Sequence, residues 1–136
     1  MELFPRGKVL VVDDDRAMRE ILDTILLAEG YEVFRAENGE DALGLLKFGL
    51  RPDAMVLDLM MPIANGFDVL AALKDDPRLR CPVVVLSAAA GYTADDLGVA
   101  VVLRKPAGLD EILAAVERAK RPEARPDFLH GSEGHI

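Results

Sequence analysis

The sequence predicts a doubly wound α/β fold, in which helices cover both faces of a parallel β-sheet. The first observation is that residues 9–12 and 54–57 are apolar without polar alternation, as in strands that are buried on both faces. The second is that strand-like and helix-like segments alternate along the chain with short connections. Parallel strands require crossover connections, and right-handed crossovers place helices on both faces of the sheet.

The first half of the chain contains two predicted strands and two predicted helices. The strand at residues 8–12 is followed by a helix that ends at Gly30, since glycine commonly terminates helices. Residues 31–35 alternate between polar and apolar side chains, which indicates an edge strand. A turn at residues 37–39 leads into a short helix at residues 40–48. The apolar positions at helical spacing are Met18, Ile21, Leu22, Ile25 and Leu26 in the first helix, and Ala42, Leu43, Leu45 and Leu46 in the second.

The second half continues the alternation, beginning with a third strand that ends at Asp58. Pro62 and Gly66 prevent this strand from continuing, so Asp58 lies at the mouth of a loop. Residues 82–87 and 99–103 are predicted as the fourth and fifth strands. The third helix is predicted from the apolar positions Phe67, Val69, Leu70 and Leu73 and ends near residues 75–77. Residues 93–97 allow only a short fourth helix. The last helix runs from Leu109 to about Ala119, and its apolar stripe consists of Ile112, Leu113 and Val116.

Composition and charge exclude several classes of protein. The chain has 136 residues, which suits a single domain at residues 1–120, and residues 121–136 are predicted to be a disordered tail. A net charge of −8 argues against direct nucleic-acid binding, which needs a basic patch. The single cysteine, Cys81, cannot form an internal disulfide. No signal peptide and no apolar run of about 18 residues is present, so a cytoplasmic protein without a membrane partner is expected.

Polar residues follow four of the five predicted strands. Asp13 and Asp14 end the first strand, Asp58 the third, Ser87 the fourth and Lys105 the fifth. Because parallel strands point their carboxyl ends to one edge of the sheet, these side chains are expected to share that edge, where ligands bind in such folds.

This set of residue types suits phosphoryl transfer to a carboxylate. Clustered carboxylates repel one another unless a cation intervenes, and their hard oxygens suit Mg²⁺, with Mn²⁺ as an alternative ion. A carboxylate such as Asp58 can act as a nucleophile and form an aspartyl phosphate. Lys105 can then pair with one phosphoryl oxygen, and the Ser87 hydroxyl can donate to another.

Four motifs together resemble the receiver domain of two-component response regulators. They are Val-Val-Asp-Asp-Asp at residues 11–15, Val-Leu-Asp-Leu-Met-Met-Pro at 56–62, Leu-Ser-Ala at 86–88 and Arg-Lys-Pro at 104–106. Each motif alone is weak, but four in order at strand ends are specific. The similarity extends over residues 7–120.

The resemblance implies a fold and a set of roles for individual residues. It implies five strands in the flavodoxin-like order 2-1-3-4-5. It implies that Asp58 is the phosphoacceptor, that Asp14 and Asp58 bind Mg²⁺ directly, and that Asp13 acts mainly through a water. The backbone carbonyl of Met60 would complete the metal site, while Ser87 and Lys105 would contact the phosphoryl group.

Three positions depart from the family pattern. Val102 stands where the family has a switch aromatic, three residues before the lysine. The segment from Ser87 to Gly98 is about one helical turn shorter than usual, so helix 4 is expected to be short and the surface formed by helix 4, strand 5 and helix 5 to be altered. Asn65 replaces a common aspartate before Gly66, and a turn tolerates either residue.

The favoured hypothesis is a stand-alone response regulator that receives a phosphoryl group on Asp58 from a histidine kinase or histidine phosphotransfer protein. It would act on an unidentified downstream protein, as a monomer or weak dimer, and would not be a classical enzyme. One alternative is a receiver-like docking module that is independent of phosphorylation. A weaker alternative is an aspartate-nucleophile phosphohydrolase, which needs a second acid two residues after the nucleophile, where this chain has Met60. Met60 and Ala89 offer no polar side chain to orient a water, which predicts slow self-hydrolysis.

Overall fold

The computed structural model describes residues 6–120, and the predicted disordered tail at residues 121–136 lies outside them. Five strands and five α-helices alternate, with one 3-10 turn at Pro77–Leu79 that the sequence analysis did not predict. The elements are β1 (Lys8–Val12), α1 (Arg16–Ala28), β2 (Glu32–Ala36), α2 (Gly39–Lys47), β3 (Ala54–Asp58), α3 (Gly66–Asp75), β4 (Val83–Ser87), α4 (Ala94–Leu97), β5 (Val101–Arg104) and α5 (Leu109–Ala119).

The five strands form one parallel sheet in the order β2-β1-β3-β4-β5. This confirms the predicted fold class and strand order, and β2 is an edge strand as expected. The central strands β3 and β4 are buried at every residue, which explains why their sequences lack polar alternation.

Successive residues of the central strands point into two separate hydrophobic cores. Leu10 and Leu57 belong to the core that also contains Leu46 of α2 and Val69 of α3. Val11 and Val56 belong to the opposite core, which also contains Leu22 of α1 and Ile112 of α5. The helices therefore cover both faces, with α2 and α3 on one and α1 and α5 on the other.

Three strands begin later than predicted. Strand β4 begins at Val83 rather than at residue 82. The other two are delayed because the hydrogen bonds that end the preceding helices extend further than the helical pattern. The Tyr31 N–H donates to the Leu26 carbonyl at 3.1 Å, so β2 begins at Glu32 rather than at residue 31. The Val99 N–H donates to the Ala94 carbonyl at 3.0 Å, so β5 begins at Val101 rather than at residue 99. Helix α2 begins one residue earlier than predicted, at Gly39, because the Asn38 side chain accepts from the Asp41 N–H and caps the helix.

Helix α4 is a single turn of four residues, as the short segment after Ser87 predicted. Thr93 and Asp96 form a capping box at its start, and Gly98 ends it in the left-handed conformation. No residue of this helix is buried. A groove of about 550 Å³ therefore lies between α3 and α4, with Phe67, Leu70, Cys81 and Leu97 among its lining residues.

Candidate functional site

The carboxyl ends of β1, β3, β4 and β5 bring the predicted site residues to one edge of the sheet. Asp13 directly follows β1, Asp58 and Ser87 are the last residues of β3 and β4, and Lys105 directly follows β5. The register pairs Asp58 with Leu86 and Ser87 with Arg104, so these strands end at nearly the same level. The Lys105 N–H continues the pairing by donating to the Ser87 carbonyl at 2.8 Å.

Three carboxylates form a cluster at this edge. Asp13, Asp14 and Asp58 each offer an oxygen, and these oxygens lie within 4.8 Å of one another. Asp13 and Asp58 are buried, whereas Asp14 is exposed to solvent. Burial, together with the negative charge of Asp13, raises the pKa of Asp58 above its ordinary value, although the Lys105 ammonium opposes this shift.

The Lys105 ammonium bridges the two buried carboxylates. Its Nζ lies 3.4 Å from Asp58 Oδ2 and 3.6 Å from Asp13 Oδ2. A cation between two buried acids offsets part of their mutual repulsion. The same ammonium is close enough to contact an anionic group attached to Asp58.

The oxygens of Asp13 suggest room for a hard cation. Oδ1 accepts from the Asp15 N–H at 2.9 Å, whereas the buried Oδ2 has no hydrogen-bond donor among residues 6–120 and faces the Lys105 ammonium at the longer distance of 3.6 Å. A buried carboxylate oxygen without a donor is costly, and a divalent ion would compensate it. Because the donor set consists of carboxylate oxygens, it fits Mg²⁺ rather than a soft metal.

Arg19 supports this site and was not identified by the sequence analysis. Its largely buried guanidinium donates to the backbone carbonyl of Asp13 at 2.8 Å and lies 3.9 Å from Glu37. It therefore holds the turn that carries Asp13 and Asp14 of the acid cluster. The acceptor is a backbone carbonyl, so no pair of side-chain types in the sequence signals this contact.

Met60 lies two residues after Asp58 and contacts it through its backbone. The Met60 N–H lies 3.2 Å from Asp58 Oδ1, while 59% of the residue is exposed. Gly66 begins α3 against the end of β3, where an added Cβ would lie 2.7 Å from the Asp58 carbonyl oxygen. The predicted role of the Met60 carbonyl as a metal ligand stays a prediction.

The Ser87 hydroxyl makes its hydrogen bonds within its own loop. It donates to the Ala89 carbonyl and accepts from the Ala89 N–H, both at 3.1 Å, and Ser87 is buried. The predicted contact of Ser87 with a phosphoryl group would require the hydroxyl to stop donating to the Ala89 carbonyl.

Asp15 and Asn65 cap helices. The Asp15 side chain accepts from the N–H groups of Ala17 and Met18 at the start of α1. Asn65 forms a capping box with Asp68 at the start of α3, a role that suits asparagine as well as aspartate.

Comparison with known proteins gives a family match over most of the chain. The model of the response regulator receiver domain matches residues 9–117. Response regulator MprA of Mycobacterium sp. (strain KMS) is 41% identical over 130 residues, which covers 88% of this chain and 54% of the relative. MprA of Mycobacterium tuberculosis (strain ATCC 25177 / H37Ra) is 40% identical over 126 residues, with 85% and 53% covered. The chain spans about half the length of these curated relatives.

Solved structures match over nearly their whole length. The receiver domain of Francisella response regulator 1452 aligns with a TM-score of 0.75 and 30% identity, covering 82% of this chain and 94% of that one. Chemotaxis response regulator CheY4 of Vibrio cholerae gives 0.73 and 27%, with 83% and 98% covered. Response regulator TrrA of Thermotoga maritima, determined in complex with Mg²⁺–BeF, gives 0.71 and 32%, with 82% and 97% covered.

Within residues 6–120, no helix has both the length and the apolar character needed to cross a bilayer.

Proposed function

The chain belongs to the response regulator receiver domain family, a family of two-component signalling, and we propose that it works there by accepting a phosphoryl group on Asp58. The observation that carries this proposal is the buried Asp58 carboxylate, with the Lys105 ammonium at 3.4 Å and two further acids beside it. A buried acid surrounded in this way is held close to a cation and a potential metal site, which is what a carboxylate nucleophile for phosphoryl transfer requires.

Asp13, Asp14 and Asp58 would hold Mg²⁺, with the Met60 carbonyl as a further ligand and Mn²⁺ as an alternative ion. When bound, the ion would neutralise charge on the oxygens of the incoming phosphoryl group. The buried Asp13 oxygen without a hydrogen-bond donor supports this assignment.

The transfer step forms one bond and breaks one. A carboxylate oxygen of Asp58 attacks phosphorus, and the bond between phosphorus and the donor's leaving atom breaks in line. With a phosphohistidine donor, the imidazole nitrogen retains the bonding electron pair. Lys105 would balance the negative charge of the phosphoryl oxygens, and the Ser87 hydroxyl would donate to one of them.

The donor would be a histidine kinase or a histidine phosphotransfer protein, and the output a changed interaction with another protein. The earlier expectation of a stand-alone regulator stays a prediction, because the matched relatives are about twice as long. A phosphohydrolase is disfavoured, because the residue two positions after Asp58 is Met60, which offers no acid.

The decisive test is intact mass after incubation with acetyl phosphate and Mg²⁺. We expect a single phosphoryl adduct on the wild-type protein, no adduct on Asp58→Asn, and none in the presence of EDTA. Asp95→Asn is the matched control, because it removes an exposed carboxylate of α4, outside the acid cluster, and should leave the adduct unchanged. A normal adduct on Asp58→Asn would refute the assignment. No adduct on the wild type would favour the docking module that is independent of phosphorylation.

A further inference from the structure

The loop after β4 links the predicted phosphoryl contact to an aromatic pair. Ser87 is buried at the start of this loop, and its hydroxyl is closed on Ala89 by two hydrogen bonds of 3.1 Å. Tyr92 lies five residues further on, and its ring contacts Phe67 of α3 with ring centroids 5.5 Å apart and tilted by 60°.

The side chains in the middle of this loop are small and exposed. The residues between Ser87 and Tyr92 are three alanines and Gly91, and all four are exposed. Gly91 has a φ of +100°, a conformation that glycine adopts readily and other residues rarely. The loop is therefore anchored at two points. The Ser87–Ala89 hydrogen bonds hold one end, and the Tyr92 ring holds the other.

Phe67 connects the loop to an accessible surface. Its ring lines the groove between α3 and the one-turn α4 and packs against the same core as Val102 of β5. Strand β5 itself carries no aromatic residue. A change in the Tyr92–Phe67 contact would therefore alter the surface of α3. This effect does not require an aromatic residue in β5.

We propose that Tyr92 carries the phosphorylation state of Asp58 from Ser87 to the surface of α3. This inference rests on the proposed function. A phosphoryl oxygen on Asp58 is a stronger acceptor for the Ser87 hydroxyl than the Ala89 carbonyl, because hydrogen bonds to charged groups are stronger. When the hydroxyl turns to the phosphoryl group, its hydrogen bond to the Ala89 carbonyl is lost and the first anchor is weakened. The loop then moves, and the Tyr92 ring separates from Phe67.

The two tyrosines within residues 6–120 provide a test with an internal reference. Tyr31 is buried just before β2, at the opposite edge of the sheet from Asp58, and Tyr92 lies on the loop. Both can be labelled with 3-fluorotyrosine and observed by fluorine NMR, with Tyr92→Phe used for assignment. On phosphorylation with acetyl phosphate and Mg²⁺, we expect the Tyr92 resonance to shift towards that of free fluorotyrosine, while the Tyr31 resonance stays.

Intact mass of the same samples separates this inference from the proposed function. Absence of a phosphoryl adduct would refute the acceptor role of Asp58. A stoichiometric adduct with an unmoved Tyr92 resonance would overturn only the role of Tyr92.

Two variants show whether the shift arises from the proposed contacts. In Phe67→Leu, the Tyr92 resonance should already be displaced before phosphorylation and should then move less than in the wild type. In Ser87→Ala, compared at equal adduct, the resonance should not move. A full wild-type shift in either variant would overturn the proposal, and an unchanged Tyr31 resonance verifies that each variant is folded.

Discussion

At the residue scale, Asp58 is held in the folded protein at a cost in stability. Burial and the nearby Asp13 raise its pKa above the ordinary 3.8. An acid whose pKa is raised by folding destabilises the folded state above the pKa that it has in the unfolded chain. The penalty grows until the pH passes the pKa of the folded state, and it stays at its full size at higher pH. The Asp58 carboxylate is therefore a local source of instability in the fold at neutral pH.

We accordingly expect Asp58→Asn to raise the Tm by a few degrees at pH 7 in metal-free buffer. Since the penalty requires an ionised carboxylate, the gain should shrink as the pH falls and vanish below about 3.8. Thermal unfolding followed by circular dichroism from pH 3 to pH 7 measures it. Asp95→Asn, which removes an exposed carboxylate, should leave the Tm unchanged. A wild-type Tm equal to or above that of Asp58→Asn at pH 7 would contradict the argument.

Met60 is expected to make the aspartyl phosphate long-lived. Met60 contacts Asp58 through its backbone N–H, and its side chain ends in a thioether, a weak acceptor that does not orient a water for attack on phosphorus. We expect a phosphoryl half-life of minutes or longer, shortened about tenfold by Met60→Gln, whose amide can orient a water. Ile63→Gln is the matched control, because Ile63 is equally exposed in the same loop. A wild-type half-life of seconds, measured by the decay of the adduct mass, would refute this explanation.

The sequence predicted which side chains meet at the candidate site. It did not predict the hydrogen bonds that hold those side chains in place. Asp13, Asp14, Asp58 and Lys105 lie together because polar residues at the carboxyl ends of parallel strands must share one edge. Arg19 was missed, because it acts on a backbone carbonyl and every residue carries one. The closure of Ser87 on Ala89 depends on a side-chain rotamer, which composition and spacing do not specify.

At the scale of elements, the first strand and first helix divide three consecutive aspartates between two tasks. Asp13 and Asp14 belong to the acid cluster, whereas Asp15 caps α1. The cap fixes the start of a 13-residue helix directly after Asp13 and Asp14. Stability and phosphorylation should therefore respond differently to substitutions at these neighbouring positions.

We expect Asp15→Ala to lower the free energy of unfolding by about 1 kcal/mol, the usual value of an N-cap side chain. Chemical denaturation measures this loss. Asp15→Asn is the matched control, because asparagine keeps the cap acceptor and removes only the charge. Both variants should still form the Mg²⁺-dependent phosphoryl adduct, and loss of the adduct in both would place Asp15 in the metal site instead.

The boundaries of the elements were predictable to within about two residues. The differences at β2 and β5 arise because Tyr31 and Val99 make the hydrogen bonds that end the preceding helices. Aromatic and β-branched residues such as these favour strands, so the sequence predicted the strands to begin there. The short α4 was predictable, because too few residues separate Ser87 from Gly98 for a longer helix.

At the scale of the whole molecule, the alternation of elements predicted the α/β class but not the order of the strands. Several orders are compatible with five parallel strands, and the order 2-1-3-4-5 followed from the resemblance of the four motifs. The resemblance could not predict how the structure changes where the chain differs from the family pattern. Shortening α4 leaves one side of the sheet edge at β5 thinly covered, with every residue of that strand at least partly exposed.

Hydrogen exchange should reveal this uneven cover. Local openings expose amides in proportion to how poorly an element is packed, so the amides of β1 and β3 should exchange most slowly. Those of α4 and β5 should exchange faster by about two orders of magnitude or more. The second edge strand, β2, is the internal control, because it has the same unpaired edge but is contacted by both α1 and α2. If the amides of β2 exchange at a rate between those of β3 and β5, the fast exchange of β5 is due to the short α4. If β2 and β5 exchange at equal rates, edge position alone explains the result and the argument is refuted.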